Sequence, residues 1–166
     1  TLIADYQTAG RGRMGRNWEA PPSANLLFSV LLHPKWPEER HQLVTPALAL
    51  ATVEMLQQLG IKASIKWPND VIVEREKSKK IAGILAEYVQ QENPVLVVGM
   101  GLNIGWPKSE DLAPPESTSL TACGIDKDRW ELLAEILKNF EKRLVQITVE
   151  KEVSGFIEDY CSKSST

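Results

Sequence analysis

The chain has 166 residues, of which 43% are hydrophobic and 25% are charged, and its net charge is −3. These values are ordinary for a globular domain and argue against bulk nucleic-acid binding, which favours basic chains. No apolar run approaches the roughly 20 residues of a membrane span. Cys123 and Cys161 lack the spacing of a metal site or a disulfide framework. We therefore predict a cytoplasmic protein that has no membrane segment.

The first part of the chain predicts two strands separated by a long loop. Residues 2–6 are typical of a short strand, whereas residues 7–24 are rich in glycine, arginine and proline, as expected of a loop that is ordered or switchable. Residues 25–32 form a nearly continuous apolar run of strand length. Such a run is consistent with a buried strand.

A helix is expected over residues 45–59, followed by a group of strands. Thr45 is the expected N-cap, Pro46 suits the first helical position, and Gly60 suits the position after the helix end. Strand-like stretches follow at 63–67, 71–74 and 81–89. The turns between them, one Pro-Asn-Asp and one charged, predict an antiparallel meander.

The last part of the chain predicts one more strand and two helices. A buried strand is expected within 94–105, a loop over 106–121, a final helix over 152–160 and a tail from 162. Asp128 and Glu131 form a capping-box pattern that opens the first helix. Its expected apolar face is Trp130, Leu133, Ala134, Leu137, Phe140, Leu144 and Ile147. The predicted class is α+β, with a mixed, mainly antiparallel sheet and helices packed on one face.

The stretch QTAGRGRMGRNW contains the G-x-G-x-x-G spacing of a dinucleotide-binding turn, at Gly10, Gly12 and Gly15. A dinucleotide-binding turn needs a helix directly after its glycines, because the pyrophosphate lies on the N-terminus of that helix. Two prolines and a strand follow Gly15 instead. The dinucleotide interpretation therefore fails.

Arg11, Arg13 and Arg16 alternate with these glycines and favour a loop that wraps an anion. Glycines let backbone N–H groups approach an anion closely, and arginines add charge and paired donors for phosphate or carboxylate. The alternative is a solvated, flexible loop. Trp18 is either a core anchor or a face on which a base stacks.

Further candidate residues occur at the ends of predicted strands. In KWPND, Lys66 could contact a phosphate, and Asn69 and Asp70 on the turn could contact a Mg²⁺ ion, although a plain hairpin turn is the alternative. In KKIAGILAE, Lys80 precedes an apolar strand in which Gly83 leaves room for a ligand. In VVGMGLN, Asn103 ends a strand and is only a weak signal.

In this order and spacing, GRGRMGRNW, KWPND, KKIAGILAE and GMGLN resemble the catalytic domain of biotin–protein ligases, over nearly the whole chain. The resemblance implies a class II synthetase-like fold. It also implies a cytoplasmic enzyme that uses ATP with Mg²⁺ to convert biotin into biotinyl-5′-adenylate. Biotin is then transferred to a lysine of the biotin carboxyl carrier domain of a biotin-dependent carboxylase.

The resemblance also implies a role for each matching residue. The cations that would neutralise the reacting anions are Arg11, Arg13 and Lys80. The biotin contacts would be Gln7, Gly10, Arg11, Gly12, Arg13, Lys80 and Gly83. The nucleotide contacts would be Arg16, Trp18, Lys66, Asn69 and Asn103, and Asp70 would meet the metal. The loop is expected to order on binding and to shield the mixed anhydride from water.

Two parts of the resembled family are not matched. Its Ser-Thr-Asn segment lies upstream of a strand such as residues 2–6, and its small C-terminal β-barrel lies beyond residue 166. We expect residues 1–166 to be one catalytic domain, incomplete at the N-terminus and without a DNA-binding domain. A homodimer is left open. The alternatives are a lipoate or octanoyl ligase-type acyltransferase and a non-catalytic fragment that senses biotin or its adenylate.

Overall fold

The computed structural model of the protein describes residues 1–90, 94–108 and 116–165. Within these ranges the strands form one six-stranded sheet in the order β1-β2-β6-β5-β4-β3, and neighbouring strands are antiparallel. They are β1 (Leu2–Ala4), β2 (Leu26–Leu32), β3 (Ala63–Lys66), β4 (Asp70–Val73), β5 (Lys79–Val89) and β6 (Val95–Leu102). The predicted meander and mainly antiparallel sheet are confirmed. Part of the predicted loop over 106–121, residues 109–115, lies outside the described residues.

The helices cover one face of the sheet, as predicted. They are α1 (Val44–Gln58), α2 (Arg129–Thr148) and α3 (Val153–Ser162). Because α1 packs on β3, β4 and β5 while α2 packs on α1, most of α1 is buried. No helix in the described part of the chain is long and apolar enough to cross a membrane.

The predicted start of α1 is wrong. A 3₁₀ helix over Glu38–Leu43 runs directly into α1, and Leu43, already in the helical conformation, is the N-cap. Thr45 therefore lies inside the helix and caps nothing. The predicted end is confirmed, since Gly60 has a φ of +77°. The Gly60 and Ile61 N–H groups donate to carbonyls of the last helical turn at 3.0 Å each, which is a Schellman motif.

The predicted apolar face of α2 is partly wrong. Its N-cap is confirmed, because the Asp128 carboxylate accepts hydrogen bonds from two backbone N–H groups of the first turn. Trp130 and Ala134, however, are exposed. At 100° per residue they lie about 120° and about 160° around the helix from Ile136, at the centre of the buried stripe. The ring of Trp130 instead stacks with the Arg129 guanidinium at 4.7 Å.

The segment after α3 is not a free tail. Arg143 of α2 forms ion pairs with Glu54 of α1 and, at 2.5 Å, with Asp159 of α3, and these pairs tie the three helices together. Beyond α3, residues 163–165 run parallel to β3. The Ile65 N–H donates to the carbonyl of residue 163, and its carbonyl accepts from the N–H of residue 165, each at 2.8 Å. This segment covers the β3 edge of the sheet.

The two faces of the sheet differ in composition. Along β6, Leu96, Val98 and Met100 are buried in the core shared with α1. The alternate residues of that strand, Gly99 and Gly101 among them, point to the opposite face. The helices thus leave one face of the sheet to the loop that contains the arginines.

The end of α1 gives a matched pair of stability predictions. Gly60→Ala should lower the free energy of unfolding by about 1 kcal/mol, because an L side chain is strained at positive φ. Gly155→Ala should raise it by about 0.5 kcal/mol, because Gly155 lies within α3 with open space around it. Urea unfolding of both variants measures the two effects. Equal stabilities would contradict the conformation assigned to Gly60.

Candidate functional site

Two facing glycines create a shallow slot on the open face of the sheet. Gly83 of β5 and Gly101 of β6 are direct partners in the sheet register. A Cβ atom added at Gly101 would overlap Cε2 and Cζ2 of the Trp18 indole, and one added at Gly83 would lie 2.9 Å from Cζ3. The indole therefore lies across both strands, in space that only glycine leaves open.

Residues 10–18, which we call the lid, form a small hairpin over this slot. Arg11 and Asn17 form an antiparallel bridge, the Gly12 N–H donates to the Arg16 carbonyl at 2.7 Å, and the Trp18 N–H donates to the Gly10 carbonyl at 3.0 Å. The tip is a 3₁₀ turn over Arg13–Gly15. A Cβ atom at Gly10 would overlap the Trp18 carbonyl, so this glycine lets the hairpin close.

Two arginines of the lid reach residues on the sheet and its turns. The Arg11 guanidinium donates two parallel hydrogen bonds to the Glu87 carboxylate, at 2.9 and 2.6 Å. Arg13 contacts the Asn69 side-chain oxygen at 3.4 Å. Asn69 is itself fixed, because its amide donates to the Ile84 carbonyl at 2.8 Å. The lid is thus attached to β5 and to the turn between β3 and β4.

Lys80 lies at the centre of the site. Its ammonium group is 2.7 Å from the Asp70 carboxylate and 5.4 Å from the centroid of the Trp18 ring. Asp70 faces Gly83 across β4 and β5, and the register of this strand pair shifts between Val71 and Ile72. The irregularity breaks the usual alternation of faces, so Lys80 reaches the same face as Asp70 although it lies three residues before Gly83. The side chains of Lys80 and Asp70 are both about one-third exposed, so both can change partner.

A cavity of about 520 Å³ lies between the lid and the sheet. The predicted site residues that line it are Gln7, Arg11, Gly12, Arg13, Arg16, Trp18, Lys66, Asn69, Asp70, Lys80 and Gly83. Its floor also includes Leu27, Leu85 and Val97, which alternate along their strands with residues of the core. One cavity thus combines an apolar floor with a cationic rim.

Two predicted residues do not line this cavity. Asn103 is 6% exposed, accepts a hydrogen bond from Asn25 at 3.1 Å and donates one to the Thr118 carbonyl at 3.0 Å. Both ends of its amide therefore contact the loops behind β6, and its contact to a nucleotide stays a prediction. Gly10 lies at the base of the lid, where it shapes the hairpin.

Sequence reasoning missed Gly101 and Glu87. Gly101 lies within the quoted GMGLN motif, but its importance depends on facing Gly83, and a pairing register is not visible in one strand. Glu87 lies within the quoted KKIAGILAE motif, where strand alternation with Gly83 and Leu85 could have placed it on the open face. Both residues lie within motifs that were used to identify the family, but neither of them was assigned a role from the sequence.

The carboxylates at the cavity limit how a metal could bind. Within residues 1–90, 94–108 and 116–165, no group of three or more His, Cys, Asp or Glu side chains is placed to hold a metal ion. Mg²⁺ is often held by one or two protein carboxylates together with substrate phosphates. Asp70 therefore fits as a single ligand for a Mg²⁺ ion that arrives with a nucleotide.

Comparison with known proteins gives a consistent family. The profile of the Biotin/lipoate A/B protein ligase family matches residues 1–104. The bifunctional ligase/repressor BirA of Bacillus subtilis is 36% identical over 148 residues, which cover 86% of this chain and 45% of that protein. The biotin–acetyl-CoA-carboxylase ligase of Mycobacterium tuberculosis is 36% identical over 151 residues, covering 87% of this chain and 54% of that protein.

A solved structure agrees with these sequence relatives. The biotin protein ligase from Aquifex aeolicus in complex with biotin and ATP superposes with a TM-score of 0.82 at 36% identity, covering 98% of this chain and 67% of that chain. The present chain spans about half the length of the curated relatives described above. The resemblance drawn from the four motifs is confirmed: this chain belongs to the biotin/lipoate A/B protein ligase family.

Proposed function

We propose that the chain is the catalytic part of a biotin–protein ligase. It activates biotin with ATP to form biotinyl-5′-adenylate and pyrophosphate, and it then transfers biotin to a lysine of a biotin carboxyl carrier domain. The observation that carries this proposal is the cavity in which an apolar floor lies beside Arg13 and Lys80. A ligand that joins an apolar ring to a carboxylate and a phosphate would place its apolar part on this floor and its anionic part beside these cations.

The floor of the cavity suits the ring system of biotin. Leu27, Leu85 and Val97 supply apolar surface, and Gly99 lines the same floor without a side chain. The buried indole N–H of Trp18 has no hydrogen-bond partner among the described residues. An unpaired buried donor is costly, so a rearrangement of the lid that gives this N–H an acceptor on a ligand would be favourable.

The cations suit the first chemical step. A biotin carboxylate oxygen attacks the α-phosphorus of ATP, the bond from that phosphorus to the bridging oxygen breaks, and pyrophosphate leaves. Two unit charges about 4 Å apart repel by about 4 kcal/mol at an effective dielectric constant of 20. Arg13 and Lys80 would offset this repulsion and stabilise the charge that develops in the transition state.

Asp70 has a second role in this scheme. It holds the Lys80 ammonium group at 2.7 Å, and Lys80 turns toward the reacting anions once a ligand enters. Asp70, once released by Lys80, would be available to hold a Mg²⁺ ion. When bound, Mg²⁺ would neutralise phosphate charge.

The second step needs a shielded intermediate and a protein acceptor. The lid, which includes Trp18, covers the cavity and would protect the mixed anhydride from water. An acceptor amine then attacks the acyl carbon, and AMP leaves. The carrier domain is proposed as acceptor because the Mycobacterium relative is named for acetyl-CoA carboxylase. We infer a cytoplasmic enzyme, in keeping with its use of ATP.

The first prediction tests the activity itself. The full-length protein, supplied with biotin, Mg²⁺-ATP and a carrier domain, should release pyrophosphate and biotinylate one carrier lysine. Lipoate or octanoate in place of biotin should give little product, because the Mycobacterium relative and the Aquifex structure are both named as biotin ligases. Adenylate binding without turnover would identify a sensing module instead, and preferential use of lipoate would identify the other branch of the family.

The second prediction concerns the cations. Lys80→Ala should slow adenylate formation by about a hundredfold or more, because the loss of one preorganised group that stabilises a transition state lowers the catalytic rate by a factor of this size. Arg13→Ala should chiefly speed loss of bound adenylate. Lys138→Ala on α2, where Lys138 pairs with Glu135 at 3.3 Å, is the control and should behave like the wild type. Normal adenylation by the Lys80 variant would refute its role.

The third prediction concerns the slot for Trp18. Gly101→Ala should expel the indole and speed the release of bound adenylate about tenfold, because the added methyl group overlaps the ring. Trp18→Ala should have a similar effect, and the double variant should be no worse than either single variant. Additive effects in this cycle would show that the two residues act separately.

A further inference from the structure

Glu87 forms the one carboxylate contact to the lid that the described structure contains, and the proposed chemistry does not use it. Both of its oxygens accept hydrogen bonds from the two terminal nitrogens of Arg11, at 2.9 and 2.6 Å. Paired, parallel hydrogen bonds of this kind are the strongest geometry available to an arginine and a carboxylate. The contact links residues 76 positions apart in the chain.

The position of Glu87 on β5 gives this contact mechanical importance. Glu87 lies four residues after Gly83 on the same face of the strand, which separates the two positions by about 13 Å. Trp18 is seated at Gly83, and Arg11 is held at Glu87. The lid is therefore fixed at two separated points along one strand, so it cannot pivot about the indole alone.

The charge of Glu87 matters as well. Its carboxylate lines a cavity that we propose to receive anions, so an unpaired Glu87 would repel the ligand. In the described contact, each terminal nitrogen of the Arg11 guanidinium donates to one oxygen of Glu87, so the charges of the two groups offset each other. Arg11 therefore serves to neutralise this wall of the cavity, whereas Arg13 and Lys80 are the cations that face the ligand.

We propose that Glu87 is the latch of the lid, a positioning residue that acts through Arg11 and sets how long the lid stays closed. The identity of the ligand rests on the proposed function, but the latch itself does not. The side chains of Arg11 and Glu87 are 68% and 42% exposed. Exposed ion pairs contribute little unless their geometry is bidentate, as it is here, so the pair can hold the lid weakly and exchange with water when the lid opens.

Limited trypsin digestion of the full-length protein without ligand tests the latch directly, because the lid itself carries cleavage sites at Arg13 and Arg16. Glu87→Gln keeps the size of the side chain and removes its charge, and it should speed cleavage at these sites about three- to tenfold. Glu87→Asp, which keeps the charge, should fall between Gln and wild type. Glu135→Gln removes a carboxylate from a remote surface pair and should cleave at the wild-type rate.

A double-variant cycle separates a latch from a general structural role. Arg11→Ala should speed cleavage at Arg13 and Arg16 to the same extent as Glu87→Gln, and combining both should add nothing. Wild-type cleavage of Glu87→Gln would overturn the proposal. A full effect of Glu87→Gln in the Arg11→Ala background would also overturn it, because Glu87 would then act without Arg11.

The dwell time of the adenylate gives a second, ligand-dependent measurement. Glu87→Gln should release preformed biotinyl-5′-adenylate about three- to tenfold faster than the wild type. An unchanged release rate would overturn the role of the latch in retention. If the wild type forms no adenylate, the proposed function fails, and the digestion result still decides whether the latch exists.

Discussion

The bare backbone at Gly83 and Gly101 is the constraint on which the site depends. A side chain at either position would occupy the space that the Trp18 indole fills. With the indole seated, the lid lies over the sheet, Arg13 reaches Asn69, and the Lys80 ammonium group lies near the face of the ring. The two glycines thus leave an open slot on the sheet, and the remaining contacts of the site are arranged around this slot.

Antiparallel pairing explains why charges from distant parts of the chain meet. The turn after β3 brings Asp70 opposite Gly83, and the strand that carries Gly83 also carries Lys80 before it and Glu87 after it. Each of the two carboxylates at the cavity is paired with a cation in the described structure. Closing the lid therefore buries no uncompensated negative charge. If an incoming anion takes Lys80 as its partner, the Asp70 carboxylate is still partly exposed to water.

Much of this architecture could be predicted from the sequence, because strand alternation, turn residues and the Asp128 cap are local signals. The motifs around Lys66, Lys80 and the lid also identified the family. The failures have a common physical origin. The cap at Thr45 was overridden by a preceding 3₁₀ helix, Gly101 gained its role from cross-strand register, and Glu87 gained its role from a contact with the lid. Contacts between separate segments cannot be predicted from the sequence of either segment alone.

The hydrogen bonds inside the lid have a thermodynamic consequence. The hairpin closes on itself through Gly12, Arg16, Gly10 and Trp18, whereas it meets the sheet through side chains. It can therefore lift as a rigid unit without losing its own backbone pairing. A segment that folds only on binding loses much conformational entropy and shows a large negative heat-capacity change. A preformed hairpin avoids most of that ordering, so calorimetry of ligand binding should show a smaller heat-capacity change than coupled folding of the segment would give.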